Sequence, residues 1–180
     1  MKVISNRVSI LKKENLLSIV ILATNDKKKL GILFLWLMAW TVCGLIVFMN
    51  YFKMIDQNAK TFIIVYLSFW AYFEYKIAKA FIWKKFGKEK LWIQEGVINY
   101  QREINKKGKI NTFNLELVQN LNIIELSNTS WADNINQSFW VKAGERIAFS
   151  VQSKIIRFGL QLNDAETQII YKELKHFVKI

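Results

Sequence analysis

The sequence predicts an α+β membrane protein: a two-helix transmembrane hairpin, then a small β-sandwich or barrel capped by a C-terminal helix. Three observations carry that expectation. Gly31 to Phe52 (GILFLWLMAWTVCGLIVFMNYF) contains no charged residue over 22 positions. From Lys84 onward the chain breaks into short alternating segments separated by turn residues. It closes on a segment whose apolar residues repeat near the 3.6-residue helical period.

Residues 1–29 read as a β-hairpin packed on the cytoplasmic domain. Val3 to Leu11 alternates, with Ile4, Val8 and Ile10 on one face; Lys12 to Asn15 supplies a turn, and Leu16 to Leu22 is a continuous apolar run. An interfacial helix over Leu16 to Ala23 is the competing assignment. The hairpin reading makes the helices an insertion within one β domain.

The segment 30–83 holds both expected spans. At about 1.5 Å rise per residue, Gly31 to Phe52 crosses a hydrocarbon core of about 30 Å. The second span, Thr61 to Trp83, is weaker, because Glu74, Lys76 and Lys79 interrupt it. The linker Lys53 to Lys60 is too short for a domain, so the second helix returns beside the first. Lys27, Lys28 and Lys29 precede the first span and Lys84, Lys85, Lys88 and Lys90 follow the second, whereas the loop holds Lys53, Asp56 and Lys60. By the positive-inside rule both termini are cytoplasmic, giving a multi-pass protein of the cell (inner) membrane. Trp36 and Trp40 suit either an aromatic belt or a packing seam.

Residues 84–180 make the cytoplasmic domain. Strands are expected at Glu89 to Gln94, Val97 to Ile104, Ile110 to Leu115, Val118 to Glu125, Ser138 to Lys142, Arg146 to Val151 and Lys154 to Phe158. Glu95-Gly96 forms a tight turn, Asn105 to Gly108 a longer one, and the polar stretch Ser127 to Gln137 a loop. Asn163 and Glu166 have capping-box spacing ahead of a stripe of Ala165, Ile169, Ile170, Leu174, Phe177 and Val178.

This layout resembles bacterial membrane proteins that carry a pleckstrin-homology-like (PH-like) domain after a two-helix hairpin. The matching residues are the Trp-rich first span (LFLWLMAW), GKEKLWIQEGVINY at the start of the sheet, and RIAFSVQSKIIRFGLQLNDAE before the last helix. The resemblance implies a cytoplasmic β-sandwich closed by that helix. It supplies no catalytic motif, and the N-terminal segment departs from its pattern.

Composition narrows function mainly by exclusion. One cysteine, Cys43, cannot build a disulfide scaffold, and 14% aromatic residues exclude a disordered basic tail. The sole histidine, His176, reads as a helix-surface residue without a cysteine partner outside the membrane. The seven glycines approach no closer than Gly87 and Gly96, so no phosphate-cradling glycine loop can be written. Carboxylates such as Glu89, Glu95, Glu103 and Glu145 show no catalytic spacing. Asn128 and Asn136 match glycosylation acceptors that the topology would put in the cytoplasm.

Three groups remain as candidate sites. Lys27, Lys28, Lys29, Lys84, Lys85 and Lys88 would lie against anionic headgroups. Glu74, about 20 Å into the second span at helical rise, would be an intramembrane polar residue with Thr41 opposite as its hydrogen-bond partner. If the span ends early, Glu74 lies instead just below the headgroups. Lys106, Lys107 and Lys109 form a turn suited to an anionic ligand. The net charge of +12 follows the helix ends, which argues against nucleic acid. The expectation is a non-enzymatic protein without cofactors that scaffolds a protein partner or binds membrane lipid. Homo-oligomerisation is left open. The alternative is a small membrane carrier or proton-coupled subunit centred on Glu74.

Overall fold

The computed structural model describes residues 2–24, 26–125 and 144–178. The expected loop at 127–137, the strand at 138–142 and both glycosylation motifs lie outside the described residues. The chain is α+β and divides into two compact units. One comprises residues 1–25 and 83–180, the other residues 26–82. The sequence pattern places these boundaries at 29/30 and 83/84.

The first unit is built on two antiparallel sheets. Strands β1 (Lys2–Val3), β2 (Val8–Lys13), β3 (Leu16–Leu22), β4 (Gly87–Gln94), β5 (Val97–Ile104) and β6 (Ile110–Asn114) lie side by side in chain order. Strands β7 (Val118–Ile123), β8 (Glu145–Val151) and β9 (Lys154–Leu160) form the second sheet. The N-terminal run is therefore a strand pair in the main sheet, and the helix alternative at Leu16 to Ala23 is wrong. Leu17, Ile19 and Ile21 alternate into the core, a period of two that a helix could not bury on one face. Strand 3–11 is also interrupted, because the Ser5 hydroxyl accepts from the backbone N–H groups of Arg7 and Val8 and turns the chain there.

β3 and β4 are hydrogen-bonded neighbours from Leu16 opposite Gln94 to Leu22 opposite Lys88. Everything between them, residues 23–86, is an insertion in a continuous sheet. A single core joins both sheets to the last helix, α3 in this fold (Asp164–Val178) once the two inserted helices are numbered α1 (Lys27–Tyr51) and α2 (Gln57–Phe86). It contains Leu17, Ile19, Leu91, Ile98, Phe149, Phe158, Ile170 and Leu174. Each such side chain contributes about 1.5–3 kcal/mol by leaving water.

The capping box forms as the spacing predicts. Glu166 N–H donates to Asn163 Oδ1 at 2.7 Å, and Asn163 N–H donates to Glu166 Oε2 at 3.1 Å. The expected apolar stripe is shifted, however. Ala165 and Ile169 are exposed, while Glu166 and Thr167 are buried with Ile170 and Leu174. Glu166 turns inward because its other oxygen accepts from the Ser5 hydroxyl at 2.6 Å.

In the second unit α1 starts at Asp26, whose Oδ1 accepts from Lys29 N–H at 3.0 Å. Asp56 caps α2 likewise, accepting from Ala59 N–H at 3.0 Å. The helices run antiparallel: Phe34 meets Phe81, Thr41 meets Glu74 and Gly44 meets Trp70, so positions advance on one helix as they retreat on the other. Gly44 permits the close approach, since a Cβ there would sit 2.0 Å from the Trp70 ring. Among the described residues α1 alone is long and apolar enough to cross a membrane, by length and composition. In α2 the charges of Glu74, Lys76 and Lys79 dilute an otherwise aromatic helix.

Candidate functional site

The six lysines expected at headgroups separate into three environments. Lys27, Lys28 and Lys29 are exposed on the first turn of α1. Lys85 is exposed, its ammonium 5.0 Å from the Phe86 ring centroid. Lys84 is not on the surface: it is 4% exposed and donates to the Gln161 side-chain carbonyl. The last turn of α2 aims this lysine at the end of β9, so Lys84 does not present its ammonium to headgroups as the sequence led one to expect. Lys88 lies half-buried, 2.8 Å from Glu103 Oε1 in an ion pair.

Lys106, Lys107 and Lys109 are exposed on the turn after β5, where Asn105 and Lys106 take left-handed backbone angles. The register places this turn at the Gly87 end of the sheet, because Gly87 pairs with Ile104.

Thr41 and Glu74 meet as the sequence reading expected. Thr41 Oγ1 lies 2.6 Å from Glu74 Oε1 and 2.8 Å from the Leu37 carbonyl, so its one hydrogen serves one acceptor at a time. Glu74 Oε2 is buried without a hydrogen-bond partner, as is the Trp40 indole nitrogen.

Sequence reasoning missed a buried charge network that crosses from one sheet to the other. Glu89 is 2% exposed on β4. Its Oε1 accepts from Tyr100 Oη at 2.8 Å and Arg102 Nε at 2.7 Å. Its Oε2 accepts from the N–H groups of Gly159 and Leu160 at 2.7 and 3.0 Å. Arg102 also donates to Glu145 Oε1 at 3.0 Å. Burial and the neighbouring Glu89 carboxylate push the Tyr100 phenol up. For Arg102 burial is the largest influence and acts downward, but Glu89, Tyr100 and Glu145 together outweigh it and the guanidinium is held above its usual range. Two scattered carboxylates do converge here, yet both are tied to one arginine and the oxygens of Glu89 are fully occupied. The arrangement locks sheet to sheet.

Arg7 provides a second lock. Its guanidinium donates to the carbonyls of Leu22, Gln161 and Leu160 at 3.0–3.1 Å. Burial lowers its pKa, against the opposing pull of Glu166 and Glu89. Glu103, 2% exposed, would be raised by burial alone, but Lys88 and Lys90 hold it below the usual carboxylate range.

At the other end of the sheet the turns Glu14-Asn15 and Glu95-Gly96 meet the C-terminal end of α3. With Ile93, Leu115, His176 and Phe177 they line a recess of about 380 Å³. Its residues come from four separate parts of the chain, so no local spacing could have signalled it. Among the described residues no three His, Cys, Asp or Glu side chains group as metal ligands.

Comparison with known proteins adds no identity. No family model, curated protein or solved structure matches the chain.

Proposed function

We propose that this is a multi-pass inner-membrane protein in which α1 and α2 form a transmembrane hairpin and the β unit is a cytoplasmic, PH-like docking module. The pairing of β3 with β4 is the observation that carries the reading. Residues on either side of the helical insertion are neighbours in one sheet. A chain that leaves that sheet through a membrane-crossing α1 must return to the same side, and α2 is the helix that brings it back. The outward faces of α2 suit lipid: Phe62, Phe69, Tyr72, Phe73 and Tyr75 are all more than half exposed. Lys27–Lys29 and Lys85, against only Lys53 and Lys60 beside Asp56 at the other end of the hairpin, favour cytoplasmic termini.

The docking role is non-enzymatic. The hairpin keeps the β unit at the bilayer and so raises its effective concentration for a protein partner there. Lys106, Lys107 and Lys109 supply contacts to anionic headgroups at the Gly87 end of the sheet.

Cysteine accessibility tests the topology in a Cys43→Ser background. A cysteine at Asn58 is expected to react with a membrane-impermeant maleimide in intact cells, and one at Lys13 only after permeabilisation. The reverse pattern, or equal labelling, overturns the reading. Photo-crosslinkers in the β unit are expected to trap one reproducible protein partner, and their failure at every surface position removes the docking role.

A second reading rests on Glu74, whose Oε2 is buried without a partner beside Thr41. An intramembrane carboxyl of this kind suits a carrier or proton-coupled subunit. Glu74→Gln separates the two: partner capture that survives without any transport defect sinks the carrier.

A further inference from the structure

The turns at the two ends of the main sheet carry opposite charges. At the Gly87 end stand Arg7, Lys85, Lys106, Lys107 and Lys109. At the opposite end the turns present Glu14, Glu95 and Glu116, although the chain as a whole carries +12. Two of these carboxylates, Glu14 and Glu95, border the recess, whose floor is Ile93, Leu115 and Phe177. Lys12, on β2, is already committed: its ammonium is 2.8 Å from Glu173 and 5.7 Å from the Phe177 ring centroid. That placement shows an ammonium held against this same aromatic ring. Lys13, Lys154 and Lys175 also stand at this end, but none of them lines the recess.

We infer that the recess docks a short peptide segment of a protein partner, one that presents a lysine flanked by aliphatic side chains. The lysine ammonium lies between Glu14 and Glu95, and an aliphatic neighbour covers Leu115 and Phe177. A volume of about 380 Å³ admits two or three side chains and no folded element. Acidic edges over an apolar floor select for charge as well as for apolar area, and they reject acidic segments by repulsion. The inference rests on the docking reading above and names the surface that does the docking.

The test uses the full chain in phosphatidylcholine nanodiscs, with empty discs as the blank. The probe is a fluorescein-labelled heptapeptide, Gly-Ser-Leu-Lys-Leu-Ser-Gly, followed by anisotropy. Saturable binding is expected for this probe, and none for the versions with Glu in place of Lys or Ser in place of Leu. The Glu14→Gln/Glu95→Gln double variant should weaken binding about three- to tenfold, the scale of two partly solvated ion pairs. Lys13→Gln, outside the recess, should leave it unchanged. Equal binding of the Glu version, or an unchanged affinity in the double variant, overturns the inference. A partner that crosslinks equally to the double variant removes the recess and leaves the docking reading standing.

Discussion

The two units bury apolar surface in opposite ways. In the β unit, strands from both ends of the sequence close on one core, and its buried charges Glu89, Glu103 and Glu166 have partners within the unit. In the helical unit α1 buries only Leu33 and Gly44, and large side chains such as Leu35, Met49, Phe62 and Phe69 point outward. The first unit therefore carries its stability in contacts that are distant in sequence. On the proposed topology lipid covers the second, because packing between two helices cannot cover their outer faces. Substitutions should consequently separate the two, each damaging one unit while sparing the other.

The largest effect is expected at Glu89. Glu89→Ala would leave Arg102, Tyr100 and two backbone N–H groups without their shared acceptor, at a cost of about 3–5 kcal/mol. The β unit should lose its cooperative denaturant transition while the helical circular dichroism of α1 and α2 in detergent persists. A parallel loss of both signals would show that the units are not independent. Next comes Gly44→Leu, which forces the Trp70 indole off α1 and costs about 1–3 kcal/mol in the helix pair. A disulfide engineered across the two helices should form more slowly in that variant, with the β transition unmoved.

Asn163→Ala removes half of the capping box and should lower β-unit stability by about 1 kcal/mol, read as a shifted denaturant midpoint. With the hairpin in the bilayer as proposed, Thr41→Val should cost roughly 0.6 kcal/mol, the average for a hydrogen bond between membrane helices. If Thr41→Val changed the β transition instead, the division between the units would be wrong. The smallest effect is expected from pH. Glu103 is held below its ordinary value of 4.5, so its stabilising pairs with Lys88 and Lys90 are intact above that value. They are lost as pH falls through the lowered folded pKa. Glu103→Gln should flatten that acid limb of the stability curve for the β unit and leave α1 and α2 unaffected.

Much of the secondary structure was legible because it depends on local pattern. Strand β5 begins at Val97 and ends at Ile104 as its alternation implies, and the Glu95-Gly96 turn has both residues at positive φ. Thr41 opposite Glu74 was legible too, since antiparallel helices joined by a short loop have a countable register. Lys84 was misplaced because a lysine at a helix end looks alike whether it faces headgroups or a neighbouring strand. Glu89 was passed over because its acceptor role is set by Gly159 and Leu160, 70 and 71 residues away. The inward turn of Glu166 likewise depends on Ser5, 161 residues distant.

By itself the sequence determined the α+β character of the chain, the apolar length of α1, the turns, and the cap of α3. Each of these follows from side chains within a few positions of one another, where periodicity and backbone preference act directly. Only the tertiary structure decided that the N-terminal strands border β4, that Lys84 is buried, and that Glu14, Glu95 and His176 share a recess. Those outcomes depend on which strand edges pair and which core they close over. Chain distance does not encode that choice, because extending a loop costs little free energy compared with the pairing it permits.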